Sequence, residues 1–262
     1  MKKLLPALIL PLLFAPFAQA EDILSILERQ AKIERAAPPA VNPYNYTVDV
    51  QMSGKEGDDD EVFTAKLFID PSLTPENRVT ILSASSDDYP DEFEEFLKET
   101  RNAETSAEDL AEEFWCESGD NDLFDDDGAA LESLTVISET QSEAVIKPDL
   151  ALMAKIMMDG DGDEDMSKSE RKMMKKMMER MDGEFVLSKP DARLKSFNIW
   201  LTRPLTMAIV AKIKEMDVTQ SCALAPNGFT YTDRITMHVK VKALGVGMEQ
   251  NMDIQISDLT LR

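Results

Sequence analysis

One histidine, His238, and two cysteines, Cys116 and Cys222, are all that this 262-residue chain holds of those two residue types. That scarcity excludes histidine-rich catalytic zinc sites and cysteine-rich zinc modules, and it confines any Ser-His-Asp arrangement to a single histidine. Aromatic residues are few, at 6%. Basic charge is short as well: 28 Lys and Arg stand against 50 Asp and Glu, for a net charge of −22. A field of that sign opposes nucleic acid and bare anionic bilayers. No glycine-rich loop of phosphate-cradling type is present. Carboxylates are abundant, but none stands in a recognisable acid–base constellation, so the chain reads as non-enzymatic.

What is present points first to export. Lys2 and Lys3 precede an apolar run from Leu4 to Phe17, and Ala18-Gln19-Ala20 is a small-x-small cleavage signal. Residues 1–20 are therefore expected to be a Sec-type signal peptide of bacterial kind, which places the mature chain in the periplasm or outside the cell. Past it, no stretch of about 18 apolar residues occurs, so no further membrane span is expected. That compartment is oxidising, and Cys116 and Cys222 have one intramolecular pairing available to them, so a Cys116–Cys222 disulfide is expected.

Residues 21–262 read as one α+β domain. Ile23, Ile26, Leu27 and Ile33 lie on one face of a short helix at 22–36, followed by a proline-rich connector at 36–43. Tyr46, Val48, Val50 and Met52 then alternate with polar residues, as a strand does. Two more strands are expected over 62–70 and 78–85. Phe93, Phe96 and Leu97 form a helical stripe, and Thr105 to Glu108 forms a capping box for a second helix through Leu110, Phe114 and Trp115. A hairpin is expected over 134–138 and 143–148. From Gly183 onward the pattern is all strand: Phe197, Ile199, Leu201; Ile235, Met237, Val239, Val241; Met252, Ile254, Ile256. Asn227-Gly228 marks a tight hairpin turn. Trp115 reads as core packing beside the disulfide, and His238 lies on the polar face of its strand. Long one-sided strands with few helices describe a curved antiparallel sheet, an incomplete β-barrel, covered by helices.

The order of these stretches resembles the LolA/LolB-type lipoprotein-carrier fold. The resemblance rests on the N-terminal helix followed by YNYTVDVQMSG, on FTAKLFIDPSLTPENRVTILSAS, and on GEFVLSKPDARLKSFNIWLTRP with the strands after it. It implies a concave apolar surface able to hold a lipid, an acyl chain or a lipoprotein. It assigns no individual ligand residue.

Residues 149–182 form a helix-loop-helix insertion in this reading, and its loop carries metal chemistry. DGDGDEDMSKSE (159–170) resembles a single EF-hand calcium loop. Asp159, Asp161 and Asp163 fall at positions 1, 3 and 5, Asp165 supplies the backbone carbonyl of position 7, Ser167 is position 9, and Glu170 is the bidentate position 12. Alternating oxygens on a tight loop are what Ca²⁺ requires. Position 6 departs from the pattern, with Glu164 where a glycine normally makes the turn. The plainer alternative is a solvated acidic linker.

Met173, Met174, Met177, Met178 and Met181 share one helical stripe, with Met153, Met157 and Met158 on the preceding limb. Packing of the hairpin onto the body accounts for them. The alternatives are an adaptable apolar face for a partner, working with the calcium loop, and Cu(I) binding by thioethers.

Overall fold

The computed structural model describes residues 39–56, 59–102, 105–116, 134–150, 168–190, 193–208 and 211–262. The expected export segment and the 22–36 helix lie outside the described residues. The elements follow in the order β1 (Tyr44–Glu56), β2 (Asp59–Ile69), β3 (Val79–Ala84), α1 (Asp91–Thr100), α2 (Ala107–Phe114), β4 (Leu134–Glu139), β5 (Glu143–Pro148), α3 (Lys168–Met178), β6 (Met181–Ser188), β7 (Arg193–Leu201), β8 (Leu205–Ala208), β9 (Ala211–Leu224), β10 (Thr230–Ala243) and β11 (Val246–Leu261).

All strands join one antiparallel sheet in the order β3-β2-β1-β11-β10-β9-β7-β6-β5-β4, with β8 paired to β9 beside β7. The last strand returns to lie against the first: Val50 faces Ile254 and Met52 faces Met252. The two ends, β3 and β4, do not pair with each other, so the sheet is an open, curved ribbon and not a closed barrel. Its bending has local causes. Register shifts interrupt the pairings at Asn45/Thr47, Lys66/Leu67, Val136/Ser138, Val186/Leu187, Thr232/Arg234 and Lys240/Val241. Each such bulge adds twist and bends its strand.

One half of the ribbon is filled. Val48, Val50 and Met52 of β1 and Phe63, Ala65 and Leu67 of β2 are buried under α1 and α2. Phe93 of α1 lies 4.8 Å from Phe63, and Phe114 of α2 lies 5.0 Å from Tyr46 and 5.3 Å from Tyr231. The Cys116–Cys222 disulfide then ties the end of α2 to β9, and Trp115 beside it is buried, its indole N–H donating to the Pro39 carbonyl at 3.2 Å. Among the described residues, no helix is long and apolar enough to cross a membrane.

Three boundaries differ from the sequence expectation. The capping box sits one residue later: Ser106 Oγ accepts from the Asp109 amide at 3.0 Å, and the Asp109 carboxylate accepts from the Ser106 amide at 2.6 Å. Thr105 instead donates its hydroxyl to the Glu99 carbonyl, which draws it back towards α1. Asn227-Gly228 lies in the β9–β10 hairpin turn, as expected, but the connection runs from Ala225 to Phe229: the Gly228 amide donates to the Ala225 carbonyl and Gly228 takes φ +90°. Tyr44 forces the extra length, since its hydroxyl accepts from the Asn227 amide at 2.9 Å. Finally, Met181 leaves the methionine stripe and opens β6, opposite Leu201. The helix ends at Met178 because the Arg180 carbonyl accepts the Thr202 amide, pulling the chain into the sheet.

Candidate functional site

Residues that face each other in an antiparallel ladder share a side of the sheet, so the register traces the inner surface strand by strand. From the filled half it runs through Met252 and Ile254, Ile235, Met237 and Val239, Met216 and Val218, Phe197 and Ile199, Gly183 and Phe185, to Ile146 and Ala144. This is an apolar stripe crossing the ribbon, interrupted by Gln220 opposite Phe197 and Gln250 opposite Val239.

Burial along the stripe is uneven, and that unevenness defines the site. On β1 and β2 the inward side chains are buried, and at the far end Ala144, Ile146 and Leu187 form a second small core with Phe185 and Leu194. Between these cores, Ile235, Met237, Val239, Met216, Val218 and Ile199 are all only half-buried. Hydrophobic side chains left half in water on a concave surface retain unspent transfer free energy, roughly 25 cal/mol per Å² still to be covered. Gly183, without a side chain, leaves room on the inner face for Leu150 and Ile199 to approach. A Cβ there would come within 3.0 Å of the Asn198 carbonyl oxygen, 3.6 Å of Ile199 and 3.8 Å of Leu150.

The outer surface of the same strands is polar and paired. Arg234 holds Asp253 through two hydrogen bonds, of 2.8 and 2.5 Å, which strengthen its hold on its proton. Lys240 lies 3.1 Å from Glu249, and its hydrogen bond and charge keep the Glu249 carboxyl below the usual carboxylate range. His238 stands on this outer face, Nδ1 2.7 Å from Asn251 Oδ1, as its place on the polar side of the strand required. Among the described residues, no group of three or more His, Cys, Asp and Glu side chains is arranged to hold a metal ion.

Of the residues singled out from sequence, Cys116 and Cys222 are brought together. Asp159, Asp161, Asp163, Asp165 and Ser167 lie outside the described residues, and Glu170 falls in the first turn of α3. Met173, Met177 and Met178 of that helix are half-buried. Its far end is fastened to the sheet, with Lys176 Nζ donating to the Thr206 carbonyl at 2.7 Å and the Arg180 guanidinium bonding the Pro204 carbonyl.

Sequence reasoning missed Arg78. It is almost wholly buried and donates to the Thr100 and Thr105 carbonyls at 3.3 and 3.1 Å, so it closes the C-terminal end of α1 with positive charge. An arginine at the mouth of a strand pattern carries no signal for such a role.

Fold and site together define an open antiparallel half-barrel with an apolar inner trough. No family model matches the chain, and no curated protein matches it in sequence. Among solved structures, it is similar to a LolA superfamily protein from Nitrosomonas europaea, at 11% identity over 91% of this chain and 93% of that one, with a TM-score of 0.26. It is also similar to MucB, solved in complex with MucA(peri), at 9% identity over 90% and 94% of the two chains, with a TM-score of 0.18. Neither superposition is close enough to transfer a property.

Proposed function

We propose that this chain is an exported, non-enzymatic binding protein that shelters an apolar ligand of acyl-chain chemistry on the concave face of its sheet. One observation carries the reading: the stripe of half-buried aliphatics on β7, β9 and β10, lying between a core filled by helices and a second, small core. A trough lined this way offers dispersion contact and dehydration along its length and few hydrogen bonds, which suits hydrocarbon and not a polar metabolite. The disulfide fits an oxidising compartment.

Binding of a long-chain fluorescent fatty acid to delipidated protein tests the proposal. Saturable binding is expected, weakened at least tenfold in Val218→Asn, which sets an amide in the middle of the trough. A delipidated protein that binds no such probe sinks it.

A second reading adds calcium. The loop at 159–170 holds Ca²⁺ through Asp159, Asp161, Asp163, Asp165, Ser167 and Glu170, and so sets the posture of α3. Its support is that Glu170 opens a helix whose other end is already docked on β8. A calorimetric titration with Ca²⁺ decides: heat should appear in the wild type and vanish in Asp159→Ala and Glu170→Ala. Unchanged heats in the variants would remove calcium from the account. Met153, Met157 and Met158, which the Cu(I) alternative also calls on, lie outside the described residues.

A further inference from the structure

The β10–β11 hairpin ends in an unusual tip. Its two central residues, Leu244 and Gly245, have φ of +50° and +92°. A two-residue hairpin turn with both φ positive favours Asn or Asp followed by Gly. Leucine in that region carries a steric cost of roughly 1 kcal/mol, and here its side chain gains no contact in return, since Leu244 is 80% exposed. Val246 and Met248, next on β11, are 45% and 38% exposed. The tip is therefore aliphatic where a cheap, soluble Asn-Gly would close the same turn.

The flank of the tip is basic. Lys242 of β10 sits directly opposite Lys212 of β9, a like-charge pair that weakens the ladder, and Lys214 follows two residues along. All three are exposed, and among the described residues no carboxylate pairs with any of them. In a chain with 50 acidic residues, three neighbouring lysines without a carboxylate partner form a local patch against the overall sign. The overall field does not cancel it, because exposed charges beyond about 8–10 Å are screened at physiological salt. On the other flank, the β1–β2 hairpin exposes the acidic Asp60 and Glu61. The tip is thus apolar at its end, basic on the β9 side and acidic on the β1 side.

We propose that the β10–β11 tip docks the protein on a bilayer surface bearing anionic lipid, with Leu244 and Val246 entering the interface and Lys212, Lys214 and Lys242 meeting the headgroups. Exposed aliphatics flanked by lysines are the composition of interfacial anchors. The acidic β1–β2 flank tilts the contact towards β9. The inner stripe reaches the same end of the sheet through Val241, Ala243, Ile213 and Ala211, so docking would bring the mouth of the trough to the lipid. The inference deepens the binding reading above and shares its trough, but its own residues are at the tip.

Vesicle co-sedimentation with the full mature chain tests it. Vesicles of 30% phosphatidylglycerol in phosphatidylcholine at physiological salt, where the overall negative field is screened, should retain the wild type, and pure phosphatidylcholine vesicles should retain much less. Losing two lysines in Lys212→Ala/Lys242→Ala should weaken retention about 30-fold, at roughly fivefold each. Leu244→Asn should weaken it about tenfold while the fold gains slightly, since asparagine suits the turn. Val218→Asn should leave retention unchanged while losing the fatty-acid probe, which separates failure of the trough from failure of the tip. Equal retention of wild type and Leu244→Asn overturns the inference, as does absence of wild-type retention on the anionic vesicles. Self-association in sedimentation that Leu244→Asn abolishes, without vesicle binding, would assign the tip to a second copy and likewise overturn it.

Discussion

A pair of truncations on the two halves of the ribbon tests the central asymmetry. Phe93 is 1% exposed and touches Phe63 at 4.8 Å, Tyr89 at 5.3 Å and Phe96 at 6.4 Å between ring centres. Removing that ring in Phe93→Ala leaves a cavity enclosed by β2 and α1, and costs about 3–5 kcal/mol. Met237 lies on the inner face of the sheet, the face that Phe93 covers farther along the ribbon, opposite Met252 and Val218, but is only half-buried. Its truncation opens a groove that water already reaches, so the full core cost of about 2–5 kcal/mol falls to roughly 1–2 kcal/mol. Urea unfolding of the delipidated proteins reads both values. Saturating fatty acid should add stability to Phe93→Ala as it does to the wild type, in line with mass action, and should add less to Met237→Ala. If Met237→Ala costs as much as Phe93→Ala in the absence of ligand, the trough is a packed core and the binding reading fails.

Other outcomes follow from single contacts. Reduction of Cys116–Cys222, which closes a loop of sequence separation 106, should lower unfolding free energy by about 4–5 kcal/mol in a urea melt; a loss below about 1 kcal/mol would show that residual structure already restrains the unfolded chain. The Asp109 carboxyl is held below its ordinary value, first by the Ser106 amide and then by the Ser106 hydroxyl. Its contribution is therefore present above the unfolded value of about 3.9 and lost as pH falls through the lower folded value, so the melting gap between wild type and Asp109→Asn should close in acid and persist at neutral pH. Ser106→Ala removes the other half of the cap and should cost about 1 kcal/mol at neutral pH by denaturant titration. Gly183→Val, pressing on the Asn198 carbonyl and Leu150, should lower the melting temperature, whereas an unchanged melt would mean that β6 and β7 shift freely at that point.

Much of this architecture is legible in residue order. Alternation in 235–241 and 252–256, and in 197–201 apart from Trp200, marks those segments as strands with one apolar side, because a strand places every second side chain on the same face. The stripe Phe93, Phe96, Leu97 has the 3.6-residue period of α1, and the redox logic of a lone cysteine pair is realised as Cys116–Cys222. Local patterns blur by a residue where tertiary contacts compete. Thr105 looks as good a cap as Ser106, but Thr105 is engaged by α1. Met181 fits the helical stripe, yet the Arg180 carbonyl meets Thr202 and the chain turns into β6.

The candidate site is legible only in part. Period-two alternation identifies which side chains point inward, but it says the same of Val50, which is sealed under helices, and of Val218, which is not. Coverage is a long-range property, set by where α1 and α2 land and by the disulfide that pins them over one half of the ribbon. The tip shows the same limit. Nothing in the run Ala243 to Met248 suggests that Leu244 occupies the left-handed region, nor that Lys212 stands opposite Lys242 across thirty residues of chain. The amino-acid order by itself determined strands, faces, helix stripes and the disulfide, since these follow from local periodicity and from having one possible partner. The tertiary structure alone decided which stretch of the apolar face stays open and what surrounds the exposed leucine, because both depend on contacts between residues far apart in the chain, and on the register that joins them.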